Sequence, residues 1–302
     1  MKIAAISDIH VIPDGSDGAI LDSIRECIEE IEPDVFVIVG DVSDDLTVLS
    51  DSLSILKAKN CVNLYVAGNH DIWFEEKGGP GTLEKYSNVI GNLCLQNGFQ
   101  HLPDSPYIKD EVAIVGSIGW YDYSFRREEL DIPIENYEQK EYRGAVWYDI
   151  FRVDWGFTDY EATELFNKKL EYDLKTLPLD VRYVIYASHH LPFQNLTIYK
   201  DRLPWDFHSA FMGAVSTGKI LSADNRVRLS ISGHSHVRNI ADNGKIKSIT
   251  VPMGYCRPRQ ENRSSFVKNA VAEINFDDGQ VEVHNFVKGD LCEGLPYFSS
   301  RN

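Results

Sequence analysis

Five apolar segments of this chain each run into a short cluster of Asp, Asn or His, and this recurrence constrains the fold more than any other feature. Lys2–Ser7 precedes Asp8-Ile9-His10, Val35–Val39 precedes Gly40-Asp41, and Val62–Ala67 precedes Gly68-Asn69-His70-Asp71. Later, Arg182–Ala187 precedes Ser188-His189-His190, and Val227–Ser232 precedes Gly233-His234-Ser235-His236. Short apolar runs rich in β-branched and aromatic residues read as buried strands. Ligands of open α/β sheets gather beyond the carboxyl ends of the strands, so five polar tails can converge on one place. Six of the nine histidines lie in these tails, leaving only His101, His208 and His284 outside them. Random scatter would not concentrate them in this way.

The intervening segments supply helices. Ile20, Ile24, Ile28 and Ile31 recur at helical spacing until Pro33, and Leu46, Leu49, Leu53 and Leu56 repeat the pattern. Thr158-Asp159-Tyr160-Glu161 is a capping box opening a helix with Ala162, Leu165, Phe166, Leu170, Leu174 and Leu177 on its apolar face. Asp44 and Asp45 read as caps of the helix that follows them. Asp242-Asn243-Gly244 and Asp277-Asp278-Gly279 each divide two strand-like runs and predict hairpins.

Residues 120–156 are rich in Tyr, Trp, Arg and Glu and show no clean period. They read as a lid-like insertion over one face of the sheet within a single domain spanning 1–302. Its Trp120, Tyr121, Tyr123, Trp147 and Trp155 are expected to pack beneath the lid. Arg126, Arg127, Arg143 and Arg152 are expected to pair with Glu128, Glu129, Glu141 and Asp149. Arg257 and Arg259 follow another strand and are placed to approach the cleft, whereas His101 and His284 read as surface residues.

Carboxylate, amide and imidazole donors without thiolate suit Mn, Fe, Zn, Co or Mg. Seven such ligands exceed one tetrahedral site and suit a dinuclear one, in which a carboxylate bridges two ions. The chain carries 30 Lys and Arg against 46 Asp and Glu, a net charge of −16. That balance disfavours an extended nucleic-acid track or an acidic membrane surface. Locally the sign reverses, because two divalent ions, two carboxylates and one bridging hydroxide sum to about +1. A small phosphorylated substrate is therefore the expected partner. No segment approaches a membrane span, and Met1–Ile6 is too short for the core of a signal peptide. Five cysteines without a CxxC pair fit a reducing compartment and no disulfide framework, so the expected location is cytoplasmic.

Asp8-x-His10, Gly40-Asp41-x-x-Asp44, Gly68-Asn69-His70-Asp71, the His189-His190 pair and Gly233-His234-x-His236 resemble, in order, the motif set of the calcineurin-like metallophosphoesterases. The resemblance spans residues 8 to 236. It implies an α/β fold of the four-layer αββα sandwich type, two mixed sheets flanked by helices, with a dinuclear site at one edge. It further implies that Asp8, His10, Asp41 and His236 hold one metal and that Asp41, as the bridge, with Asn69, His189 and His234 holds the other. His70 would protonate the leaving oxygen or stabilise its charge, with Asp71 orienting its imidazole. His189-His190-Leu191-Pro192 fits the family's pattern with either histidine as ligand, the first being favoured.

The implied activity is a metal-dependent phosphoric ester hydrolase that cleaves a small phosphodiester or phosphomonoester by in-line attack of a metal-bridging hydroxide. Protein phosphatases of the superfamily carry an Arg after the second motif and a Glu after Asn-His. Here Asp44-Asp45-Leu46 and Asp71 stand in those places. Two alternatives remain: a nuclease, which needs a basic surface that the composition does not supply, and a non-catalytic scaffold of the same fold. Scaffold members typically have eroded ligand motifs, whereas every ligand position is intact here.

Overall fold

Each of the five apolar segments forms a strand covered on both faces. The computed structural model describes residues 1–74 and 78–293. In chain order the strands are β1 (Lys2–Ile6), β2 (Val35–Val39), β3 (Val62–Val66), β4 (Gln100–His101), β5 (Tyr107–Lys109), β6 (Val112–Ser117), β7 (Glu141–Tyr142) and β8 (Ala145–Val146). They continue as β9 (Tyr183–Ser188), β10 (Val227–Ser232), β11 (Ile240–Asn243), β12 (Ile246–Thr250), β13 (Ala272–Asp277) and β14 (Gln280–His284). One six-stranded sheet has the order β14-β13-β1-β2-β3-β4 and a second the order β11-β12-β10-β9-β6-β5. The first is parallel from β1 to β4 with an antiparallel β13-β14 hairpin at its edge. In the second, β12, β10, β9 and β6 are parallel and the edge strands β11 and β5 antiparallel. Both sheets are therefore mixed, and both predicted hairpins form.

The pleat distributes each strand between two cores. In β1 and β2, Ile3, Ala5, Val35, Val37 and Val39 face the second sheet, meeting Ile114, Ile185, Leu229 and Ile231. Their alternates Ala4, Ile6, Phe36 and Ile38 pack under helices 18–31, 46–56, 90–96 and 263–270. The outer face of the second sheet carries helices 159–176 and 215–223 through Leu170, Leu174 and Leu221. The layers thus run helix, sheet, sheet, helix. Burial on both faces is why the strands read as continuous apolar runs and not as alternating ones.

The capping box is present: Thr158 Oγ1 accepts the Glu161 N–H while Glu161 accepts the Thr158 N–H. Leu165, expected on the apolar face of that helix, is 48% exposed, because the buried stripe runs through Ala162, Phe166 and Leu170. His101, expected at the surface, is buried in β4 with Nδ1 3.1 Å from Asp104. The turn at Asn97-Gly98 that suggested exposure leads into a strand at the sheet edge instead. The expectation of no disulfide is overturned by a Cys256–Cys292 bridge with Cα atoms 5.3 Å apart. A separation of 36 residues leaves no spacing signal in the sequence. Cysteine usage therefore no longer argues for a reducing compartment. Among the described residues no helix is long and apolar enough to cross a membrane.

Residues 120–156 contain a β7-β8 ribbon and short helices. Trp120, Tyr121, Tyr123 and Trp155 are buried in the core beneath the helices. The Asp159 carboxylate ties this segment down, accepting from Trp120 Nε1, Tyr123 Oη and Lys140 Nζ. Arg126 pairs with Glu128 as expected. Arg127 reaches Asp201 and buried Asp206 in addition to Glu129, and Arg152 pairs with Asp44 instead of Asp149.

Candidate metal centre

The carboxyl ends of β1, β2, β3, β9 and β10 meet at one edge of the sandwich. A parallel bridge between Ser7 and Pro252 stitches the two sheets together there. Just past the strands the chain turns left-handed at Asp8, His10, Asp41, His234 and His236, with φ between 49° and 67°. Non-glycine residues rarely adopt this region. The pairs Asp8/His10 and His234/His236 are each spaced i, i+2, which in extended chain would place both side chains on one side. They converge through these turns instead, a feature that no sequence period reveals.

Three glycines make the close approach possible. A Cβ on Gly40, itself at φ 87°, would lie 2.6 Å from both Gly68 Cα and His189 Nδ1. One on Gly68 would lie 2.1 Å from Asp41 Oδ1, and one on Gly233 would lie 2.6 Å from Asp8 Oδ2. Glycine in each tail is therefore a packing requirement of the donor cluster.

Two groups of donors result. Atoms of Asp8, His10, Asp41 and His236 lie within 4.8 Å of one another, as do those of Asp41, His189 and His234. Asp41 is common to both. The imidazole arrangement tests whether these residues fit a cation. The His189 Nδ1–H donates to the Val39 carbonyl at 2.9 Å and the His234 Nε2–H to the Phe211 carbonyl at 3.1 Å. A carbonyl only accepts, so these contacts fix the protons. His189 Nε2 and His234 Nδ1 are then left facing each other at 3.0 Å. Two lone pairs at that distance call for a shared proton or a metal ion between them. His10 Nε2 and His236 Nε2 also lie 3.1 Å apart, with Asp8 Oδ1 3.2 Å from His236 Nε2. The donor set fits hard-to-borderline divalent ions.

The electrostatics agree. Burial alone would hold His189 neutral, but Asp41 Oδ2 at 3.4 Å, with Asp8 behind it, outweighs burial and raises the ring to about 9. Burial pushes Asp41 up to about 6 against the opposing pull of His189, with the charges of Asp8 and Asp71 adding to the rise. Asp41 and Asp8 thus hold His189 and His236 toward the charged form, whereas burial and the neighbouring imidazoles push His10 and His234 toward the neutral form that can ligate a cation.

Asn69 Oδ1 lies 3.1 Å from His189 Nε2, beside the second donor group. His190 turns away: its Nδ1–H donates to the Ile118 carbonyl and its ring packs on Trp120. His70 stacks on Trp73 with centroids 3.7 Å apart, and its Nε2 is 3.9 Å from Asp41 Oδ2. Asp71 does not serve as expected. Its carboxylate accepts the N–H groups of Asp41, Val42, Ser43 and Gly68 and the Tyr65 hydroxyl instead of the His70 ring. It organises the loop that carries Asp41.

Sequence reasoning missed Tyr255 and the buried role of Asp149, and placed Arg257 at the cleft and not behind it. Arg257 lies behind the site, donating to the carbonyls of Ile9 and His10 and pairing with Asp17. Tyr255 stacks on His10 with centroids 4.1 Å apart. Asp149, read as a surface partner of arginine, is buried beside Asn69. Its position between Trp147 and an exposed pair, Ile150 and Phe151, gave no periodic signal.

The family model of the calcineurin-like phosphoesterases matches residues 1–238. The chain belongs to this family. It is a metal-dependent phosphoric ester hydrolase, a reading that the family membership and the donor clusters both support. The chain is 23% identical, over 91% of its length and 85% of the relative, to the [acyl-carrier-protein] phosphodiesterase PptH of Mycobacterium tuberculosis. The crystal structure of that organism's phosphopantetheinyl hydrolase PptH superposes with a TM-score of 0.68 at 20% identity, covering 84% of this chain and 89% of the other. A dimetal phosphatase from Danio rerio superposes with a TM-score of 0.57 at 13% identity, covering 96% of each chain. Both structures share the sandwich fold.

Proposed function

We propose that this phosphoesterase works through two ions and that a phosphodiester is its substrate. Asp8, His10, Asp41 and His236 would hold one ion. Asp41, Asn69, His189 and His234 would hold the other, with His189 and not His190 as the ligand of the pair. The observation that carries this reading is the shared position of Asp41, whose Oδ2 lies 3.4 Å from His189 Nε2 and 3.8 Å from His10 Nε2. When bound, the ions would supply Lewis acidity, lowering the pKa of water and offsetting phosphoryl charge. Mn, Fe, Zn and Co all suit the donors.

The chain's own residues do the rest. Asp41 holds the two donor groups in register, while the Val39 and Phe211 carbonyls fix the tautomers of His189 and His234. His70, held flat against Trp73 at the rim of the site, would hold a proton at Nε2 for the leaving oxygen. The Mycobacterium tuberculosis relative is a phosphodiesterase, which favours a diester over a monoester here. A phosphopantetheinyl group borne on a carrier protein is therefore the first physiological substrate to test.

The experiment reconstitutes purified protein with Mn, Fe, Co or Zn and compares bis-p-nitrophenyl phosphate, p-nitrophenyl phosphate and a phosphopantetheinylated carrier protein. Two ions per chain and faster diester cleavage are expected. Wild-type protein that is inactive on all three with every metal would sink the proposal.

A further inference from the structure

The buried carboxylate of Asp149 belongs to the aromatic segment 120–156, outside every motif of the site, yet it ends against Asn69. Its Oδ1 accepts from Asn69 Nδ2 at 2.9 Å and from Trp73 Nε1 at 2.7 Å. Its Oδ2 accepts from Tyr121 Oη at 3.0 Å and Trp147 Nε1 at 2.9 Å. The residue is 1% exposed, and its four partners are all neutral donors. The indole N–H groups of Trp73 and Trp147 can only donate, so Oδ1 and Oδ2 each act as an acceptor here.

An amide side chain can present either its oxygen or its nitrogen, and only the oxygen can ligate a cation. Facing Oδ1, an oxygen that already accepts from the Trp73 indole, Asn69 turns its NH2 toward Asp149, which leaves its own Oδ1 toward His189 and the second donor group. The same carboxylate oxygen also anchors Trp73, the ring on which His70 stacks. We infer that Asp149 is a positioning residue of the metal centre: it selects the amide orientation in which Asn69 can bind an ion, and so couples the inserted segment to one of the two metal positions. This inference rests on the two-ion reading and assigns a role to a residue that reading does not use.

The test is metal titration by calorimetry with Mn²⁺ alone, so no substrate enters. Asp149→Asn removes the acceptor-only constraint within nearly the same volume. It is expected to weaken one of the two ions by about tenfold or more and to leave the other within about twofold. In an Asn69→Ala background the same change should have no further effect on either ion. Equal affinities for Asp149→Asn and wild type, or an undiminished effect in the Asn69→Ala background, would overturn the inference. Should Asp149→Asn not fold, the swapped pair keeps the question answerable. Asn69→Asp alone sets two carboxylates face to face, whereas Asn69→Asp with Asp149→Asn restores a donor against an acceptor and should bind Mn²⁺ more tightly. Equal affinities for those two proteins would count against the role. Wild-type protein that takes up a single ion would show instead that the two-ion reading is at fault.

Discussion

Asp71→Asn separates two roles for the residue that ends the third motif. If Asp71 orients the His70 ring, the change should slow catalysis and leave stability alone. The structure predicts the reverse emphasis. Asp71 Oδ1 accepts from the Val42 and Ser43 N–H groups, and Oδ2 from the Gly68 and Asp41 N–H groups and Tyr65 Oη. A carboxamide keeps one oxygen, so in either orientation its NH2 faces two backbone N–H donors, while the Tyr65 hydroxyl can rotate to accept. Two buried N–H groups left without an acceptor cost about 1–3 kcal/mol each, or about 2–6 kcal/mol together. For a chain of this size that corresponds to a fall in melting temperature of about 4–12 °C. The assay is thermal unfolding of the metal-free proteins by circular dichroism, which keeps ion binding out of the comparison. A metal-free Asp71→Asn protein that melts within about 2 °C of wild type would refute the assignment of Asp71 to the loop backbone.

Asp41→Ala should abolish uptake of both ions by elemental analysis, since one carboxylate serves both donor groups. His70→Ala should keep both ions and slow turnover by about a hundredfold or more; loss of metal in that variant would place His70 among the ligands. Gly68→Ala should impair metal uptake, because the added Cβ would fall 2.1 Å from Asp41 Oδ1; an unimpaired titration would contradict the packing described here. Chelation should lower the melting temperature, each ion at a hundredfold its dissociation constant contributing about 2.7 kcal/mol, and an unchanged melt would mean that no ion was bound.

The sequence made legible what depends on local pattern. The two-core strands, the capping box at Thr158 and the Asp-Gly hairpin turns each follow from a short stretch of residues and a known period. The donors themselves were legible because they cluster at strand ends. What escaped depends on contacts between distant segments. Asp149 and Asn69 are 80 residues apart, and Cys256 finds Cys292 only once the strands are in place. Arg257 was placed near the cleft because it follows a strand, and Asp71 beside the His70 imidazole by resemblance to the family, yet each turns its polar atoms toward the loop backbone behind it. Burial of His101 escaped for a related reason: a two-residue edge strand is too short to leave a period.

The left-handed turns explain why so many buried polar groups face backbone here instead of ligand. A non-glycine residue in that conformation costs on the order of 1 kcal/mol, so the five donor residues held there together cost about 5 kcal/mol, comparable with the whole stability of a marginal domain. Each of the three motifs that carry these turns has an identifiable clamp. Arg257 Nη2 binds the carbonyls of Ile9 and His10, fixing the first motif. Asp71 gathers the N–H groups of Asp41, Val42 and Ser43, fixing the second. Asp8 accepts the His234 N–H, so a candidate ligand of one ion braces the turn that carries a candidate ligand of the other. The strain orients donors from separate segments before any cation arrives, which removes reorganisation from the cost of binding. Loosening a clamp should therefore weaken metal affinity even where no donor atom is removed.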